Sequence, residues 1–417
     1  MTHETLRPLT EPAEGVPDVA ATRDQVREVI NSLRAGTGPI AVDAERASGY
    51  RYSQRAYLIQ VRRTGAGTAL IDPLGVPDLS ALSEAIAGAE WVLHAANQDL
   101  PSLAGVGLRP RTLFDTELAG RLLGRERVGL GTMVAEELGL SLAKEHSAAD
   151  WSTRPLPEDW LRYAALDVEV LIDLRERLHT ELRRAGKLNW ALEEFEYVRT
   201  VSPPPARQDP WRRTSGTHAI RDRRGLAIVR ELWIARDAAA AEADIAPGRI
   251  LPDRAIIAAA QQRPTNRSEL LDLRPFSNRG ARRRTRTWSE AIDRALALAE
   301  TELPPIRAPQ QPDNLPQPRT WKDRHPEAAT RLEAVRPTLR ALADELHLPQ
   351  ENLLAPDTQR RLAWSPPEHI SEETVATHLR ELGARNWQVE QVTERLTEAL
   401  VTGEPVGVPE AESGDDA

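Results

Sequence analysis

Pro203, Pro204 and Pro205 stand in a row and divide a 417-residue chain into two unlike parts. A proline has no N–H to donate and holds φ near −65°, so three together end any helix or ladder and favour an extended connector. Before them, apolar runs of strand length alternate with helical patterns. Beyond them the strand signal vanishes. The chain is too long for one ordinary core, and two or three domains are expected.

Residues 1–20 are rich in Pro and Glu with little periodicity, so residues 1–22 are expected to form a flexible tail. A helix is expected from about Arg23 to Leu33. It leads into the apolar run Pro39-Ile40-Ala41-Val42, which ends in Asp43-Ala44-Glu45. Apolar runs at 56–61 and 68–71 flank Gly65-Ala66-Gly67, a hairpin signal. Helical patterns follow at 79–87, 100–106 and 116–123, with strands at 91–94 and 112–114. Strands first in a hairpin, then alternating with helices, argue for an α/β unit with a mixed sheet and helices on its faces.

Four acids in this part sit in apolar frames. Asp43 and Glu45 lie two apart on a strand, so their side chains share a face. Asp99 opens a helical stretch after Trp91-Val92-Leu93-His94. Tyr163 and Asp167 are four apart in the helical run 160–171, one above the other on one face. Four converging oxygen donors suit hard divalent cations such as Mg²⁺ or Mn²⁺. A pair of such ions is common machinery for in-line phosphoryl displacement. Taken singly, each residue has a plainer reading. Asp-x-Glu reads as a solvated strand end, Asp99 as a helix N-terminal charge, and Tyr163 with Asp167 as a core tyrosine and a surface acid. His94 reads as structural, Asp115 and Asp150 as capping residues or outer partners of the site.

Composition narrows the chemistry. There are no cysteines, which removes disulfides, thiolate nucleophiles and sulfur-ligated metals and fits a reducing compartment. No secretory signal is visible at Met1-Thr2-His3-Glu4, and no stretch is long and apolar enough for a membrane span. A soluble, cytoplasmic protein is expected. The net charge is −9, yet residues 207–300 hold nineteen arginines against twelve acids, a local surplus of positive charge. A basic module on an acidic body fits a polyanion-processing protein. Coding bias accounts for Arg over Lys, but not for the segregation of charge.

Beyond the prolines, 218–300 reads as several helices, with apolar periodicity at 226–235, 253–260 and 268–273. A second Pro-rich connector covers 301–325, and 326–402 is helical again. The cluster Arg282, Arg283, Arg284 and Arg286 with Trp288 reads equally in two ways. It is a phosphate-gripping surface with a stacking ring, or a solvated loop whose Trp belongs to the next helix's core. Lys144 and His146 have the same two readings, substrate contact or exposed loop.

Together, in order, these residues resemble the ribonuclease D family of 3′→5′ exoribonucleases, with its Asp-Glu-Asp-Asp active site in the tyrosine version. The resemblance rests on Val42-Asp43-Ala44-Glu45, His94-Ala95-Ala96-Asn97-Gln98-Asp99-Leu100 and Tyr163-Ala164-Ala165-Leu166-Asp167-Val168, with Asp150-Trp151-Ser152-Thr153-Arg154-Pro155-Leu156 upstream of the last. Ala44 stands where the family often carries a hydroxyl residue. Ile250-Leu251-Pro252-Asp253, with Arg263-Pro264-Thr265 and Leu270, is similar to the HRDC domain.

The resemblance implies a ribonuclease H-like exonuclease domain at 23–200, a linker at 201–216 and an HRDC domain at 217–300. After the connector it implies a second, divergent HRDC-like domain at 326–402 and an acidic tail at 403–417. It also implies that Asp43, Glu45, Asp99 and Asp167 hold two divalent cations, Mg²⁺ or Mn²⁺, and that Tyr163 orients the attacking water. The partner it implies is structured RNA with a free 3′ end, such as a tRNA precursor, cut to nucleoside 5′-monophosphates. DNA as substrate and a non-catalytic nucleic-acid scaffold stay open as alternatives, and the oligomeric state is unassigned.

Overall fold

A computed structural model describes residues 6–142, 148–202, 207–276, 279–308 and 314–408. Lys144, His146, Pro203 to Pro205 and the end of the acidic tail lie outside the described residues.

The sheet grows outward from one strand. β1 (Arg7–Leu9) and β2 (Val19–Ala20) precede the long β3 (Thr37–Arg46), which is followed by β4 (Ala56–Thr64) and β5 (Gly67–Ile71). β6 (Glu90–Leu93), β7 (Thr112–Asp115) and β8 (Leu140–Leu142) complete the set. Six of them form one sheet in the order β2-β5-β4-β3-β6-β7. β3, β4 and β5 run antiparallel, joined between the last two by a turn in which Gly65 and Gly67 both take positive φ. β6 and β7 are parallel to β3. The central run Ile40, Ala41, Val42 is fully buried because helices cover both faces, which is why it reads as continuous apolar sequence. The helix Arg23–Ala35, expected from about Arg23 to Leu33, starts at Thr22 with a reciprocal capping box to Gln25.

The sheet and its helices form the expected α/β unit, with two corrections at its margins. Residues 6–22 are not a free tail. β1 pairs in parallel with β8, β2 pairs with β5, and the Ala13 N–H donates to Glu169. Backbone pairing needs no apolar composition, so the Pro- and Glu-rich sequence hid it. The expected connectors are also shorter than their composition indicates. Trp211 is buried in the next domain's core, and Trp321 packs against Trp364 and Leu332.

The HRDC-type unit has its own apolar core, built from the helices Arg223–Ala243, Asp253–Gln262, Arg267–Asp272 and Thr285–Ala297. It meets the β3–β4 loop, where Tyr52 donates to Asp237, Ser53 N–H donates to Asp244, and Ala246 N–H donates to Tyr50 O. The C-terminal helices are attached differently. Val335, Leu339, Trp387, Val392 and Leu396 belong to the same continuous core as Ile40, Val42 and Phe114 of the sheet. Trp190 stacks on Trp387 at 4.9 Å, and Lys187 Nζ donates to the carbonyls of Leu122, Leu346 and His347.

Candidate active site

β3 carries Asp43 and Glu45 on the face covered by the helix Glu158–Glu169. That helix lies close to the sheet because its inner residues Ala164 and Ala165 are small and fully buried. Tyr163 and Asp167 therefore reach the same end of β3. The segment ahead of the helix is locked from below. Trp151 is fully buried, with its ring 5.3 Å from Trp160 and 6.5 Å from Tyr163. Arg154 makes a two-pronged pair with Asp72 at 2.8 and 2.9 Å and donates to Tyr57 O.

Asp99 arrives from β6 through a sharp turn. Ala95 takes φ of +58°, a strained value for a residue with a side chain. Asp115, at the end of β7, holds that turn by accepting from the N–H groups of Ala95 and Ala96. It also caps the helix Thr116–Leu122 through Glu117 and Leu118. The two expectations for Asp115, capping and outer support, describe one residue doing both.

The acids converge. One ligand atom from each of Asp43, Glu45 and Asp167 lies within 4.8 Å of the others. Asp99 stands outside that tight group but lines the same cavity of about 450 Å³, together with Tyr163, His94 and Gln98. Burial pushes Asp43 up to about 6 and Asp99 up to about 8, the latter also raised by its repulsion from Asp43. Glu45 and Asp167 are held well above the usual carboxylate range by burial, with repulsion from neighbouring acids added. Tyr163 is raised by burial and by the nearby acids, and its hydroxyl is hydrogen-bonded to Asp167. It keeps its proton at neutral pH. The nearby positive charge is Arg46, 3.7 Å from Asp99 and half-buried. Crowded, partly buried, all-oxygen donors that resist losing their protons fit hard divalent cations, whose charge relieves the repulsion.

His94 lies at the cavity wall, with Nδ1 2.9 Å from Thr116 Oγ1. Burial lowers it to about 4, so it is neutral and structural at pH 7. Asp150 accepts from Ser152 N–H and hydroxyl, a local turn contact. The basic cluster divides. Arg282, Arg283 and Arg286 are exposed, Arg286 paired with Glu290, and Arg284 is half-buried. Trp288 is a correction: it is 0% exposed, and its Nε1 donates to Ala281 O. It fills the core of the HRDC-type unit and has no face left for a base. The apolar reading of 56–61 passed over Gln60, a polar residue at 0% exposure beside the site. Arg46 was passed over as well. Its signal was a cation one residue past Asp-x-Glu.

Comparison with known proteins gives the family. The family profile described as 3'-5' exonuclease matches residues 17–183, and the HRDC domain profile matches 225–292. Ribonuclease D of Escherichia coli (strain K12) is 31% identical over 292 residues, covering 68% of this chain and 76% of that protein. The chain belongs to the ribonuclease D family. It is a 3′→5′ exoribonuclease. The crystal structure of the Escherichia coli ribonuclease D, described as an exoribonuclease involved in structured RNA processing, aligns with a TM-score of 0.64 at 26% identity. That alignment covers 93% of this chain and 99% of the other. A protein from Bifidobacterium adolescentis aligns at 0.87 and 39% identity, over 95% of this chain and 100% of its own. The stretch expected to be a second HRDC copy matches instead the profile described as 3' to 5' exonuclease C-terminal domain, at 314–400. Its shared core with the catalytic sheet fits that description. No helix among the described residues is long and apolar enough to cross a membrane.

Proposed function

We propose that this ribonuclease D relative trims the 3′ ends of structured RNAs, tRNA precursors among them, in the cytoplasm, with two divalent cations held by Asp43, Glu45, Asp99 and Asp167. The observation that carries the reading is the convergence of Asp43, Glu45 and Asp167 in one cavity with Asp99 and Tyr163. Two Mg²⁺ or Mn²⁺ ions at such a site lower the pKa of an attacking water and offset charge on the leaving 3′ oxygen. The chain supplies the rest. Asp43, whose charge acts on Glu45, Asp99 and Asp167 alike, would be the central ligand of the set. Tyr163, protonated and tied to Asp167, aligns the water through its hydroxyl and does not act as a base. Arg46, paired with Asp99, is proposed to meet a substrate phosphate. Arg282 and Arg283, on the exposed side of the HRDC-type unit, are proposed to hold the RNA body.

The test is a 3′-tailed RNA hairpin labelled at its 5′ end, incubated with Mg²⁺ and then with EDTA. A ladder shortening from the 3′ end, lost with EDTA and lost in Asp43→Asn, is expected. RNA that is bound yet stays intact with every divalent ion, alongside intact DNA of the same sequence, would leave only a scaffold role. Swapping the terminal ribose for deoxyribose measures the RNA preference, and preferred cleavage of the deoxyribose end would assign DNA.

A further inference from the structure

Gln60 is a buried primary amide with nothing to bond to. It is 0% exposed on β4, and neither its Nε2 nor its Oε1 has a hydrogen-bond partner among the described residues. An amide left unpaired in a protein interior keeps the full cost of its lost hydration. An apolar residue of the same size would remove that cost, and the flanking residues Ile59 and Val61 are apolar. The position on the ladder gives the amide a use. Gln60 is the direct cross-strand partner of Asp43, just as Leu58 is the partner of Glu45. Directly opposed residues share a face, with Cβ atoms about 5 Å apart. Leu58 and Leu70, which flank Gln60 on that face, pack beneath Ala164 and Ala165 of the helix that carries Tyr163 and Asp167. The Gln60 amide therefore lies under the same helix as the acid cluster, beside its central member.

We propose that Gln60 is a positioning residue for Asp43. Its amide N–H donates to the Asp43 carboxylate in the loaded site and holds it at one orientation. Asp43 is a suitable recipient. The backbone of Ala44 and the charge of Arg46 are the groups that favour its charged form. A donor that cannot titrate is the right kind of support here, since another acid would add repulsion and a buried lysine would compete with the cations. The inference rests on the metal-dependent reading of the cluster.

The experiment compares Gln60→Leu, Gln60→Asn and Asp43→Asn with the full-length protein. Each is measured by Mn²⁺ affinity from calorimetry, by kcat and KM on the tailed hairpin, and by thermal unfolding in EDTA. Outer partners of metal ligands change affinity or activity by about 10–100-fold. Gln60→Leu is expected to weaken Mn²⁺ binding and lower kcat within that range, with KM for RNA unchanged. Its Tm in EDTA should be equal to or above that of the parent, because the unpaired amide is gone. Gln60→Asn keeps an amide one methylene short and is expected to fall between. A Gln60→Leu protein with a lowered Tm and parental Mn²⁺ affinity and kcat would make Gln60 a packing residue and overturn the proposal. Should Asp43→Asn itself bind Mn²⁺ and turn over like the parent, the reading of the cluster fails first. Impairment in Asp43→Asn with none in Gln60→Leu rejects Gln60 alone.

Discussion

Arg385 donates through Nε and Nη2 to the two carboxylate oxygens of Glu194, at 2.6 and 3.0 Å, and joins the C-terminal helices to the exonuclease domain. The indole N–H of Trp387 donates to the same Glu194 at 2.8 Å. Glu194 is 5% exposed and Trp387 1%, so this is an interior contact between elements nearly 200 residues apart in sequence. Glu194→Ala leaves a guanidinium and an indole N–H without their acceptor. A destabilisation of about 3 kcal/mol is expected, the scale for breaking a buried pair. Urea unfolding followed by tryptophan fluorescence checks it. A midpoint within error of the parent would mean that the Glu194 contacts add nothing to the joining of the two units.

Proton linkage gives a second prediction. In the fold Asp99 is raised to about 8 and Asp43 to about 6, against 3.8 for an unperturbed aspartate. The folded chain then holds protons that the unfolded chain has released, so stability without divalent ions falls as pH rises through that window. Each fully linked group contributes up to about 1.4 kcal/mol per pH unit. His94, lowered from 6.5 to about 4, acts in the opposite sense, costing stability as pH falls below 6.5. Between pH 6.5 and 8 Asp99 acts without it, Asp43 having released most of its proton around pH 6. In EDTA the Tm is expected to drop across this interval, and Asp99→Asn to flatten the drop. A parental Tm that stays level from pH 6.5 to 8 would contradict the crowding of charge at the site.

Tyr163→Phe separates the hydroxyl from the ring. The ring packs near Trp151, at 6.5 Å, and a phenyl keeps that neighbour. The hydroxyl bonded to Asp167 is removed. Positioned groups in proton-transfer and hydrolysis chemistry contribute about 100-fold or more. A fall in kcat of about that size is expected, with KM for RNA within a factor of two or so and Tm near the parent's. Parental kcat would remove Tyr163 from the mechanism.

The arginine cluster and Trp288 should part company. Arg282→Ala with Arg283→Ala is expected to weaken RNA binding. The slope of log K against log salt should shrink by about 0.7 for each single-strand phosphate that is no longer neutralised. Stability should stay near parental, since both side chains are exposed. Trp288→Ala is expected to destabilise the HRDC-type unit by about 3–5 kcal/mol, the usual cost of truncating a buried aromatic. An unchanged salt slope in the double arginine variant would return those residues to the solvated surface.

Much of the catalytic domain was legible because its signals are local. The apolar runs of β3 and β4, the glycines between β4 and β5, and the helical pattern from Arg23 each report on neighbours along the chain. The errors came where identity and environment part. Trp288 beside four arginines reads as a stacking platform until helix Thr285–Ala297 turns it inward. Residues 6–22 read as a tail because strand pairing at a sheet edge uses backbone groups, which composition does not reveal. Gln60 was hidden inside an apolar run, where one polar residue looks like tolerance and not like a position.

The sequence by itself determined that Asp43 and Glu45 share a strand face and that Tyr163 and Asp167 share a helix face. Periods of two and 3.6 are properties of the backbone and need no partner. It also determined that sulfur chemistry is absent and that the all-helical part begins near the prolines. Tertiary structure alone decided that the strand face and the helix face meet, through the buried alanines 164 and 165, and that the Asp115-held turn delivers Asp99 to the same cavity. It also decided that the C-terminal helices complete the exonuclease core, through Glu194 and Lys187. These are contacts between residues tens to hundreds of positions apart, set by which surfaces bury each other, and no local pattern along the chain encodes them.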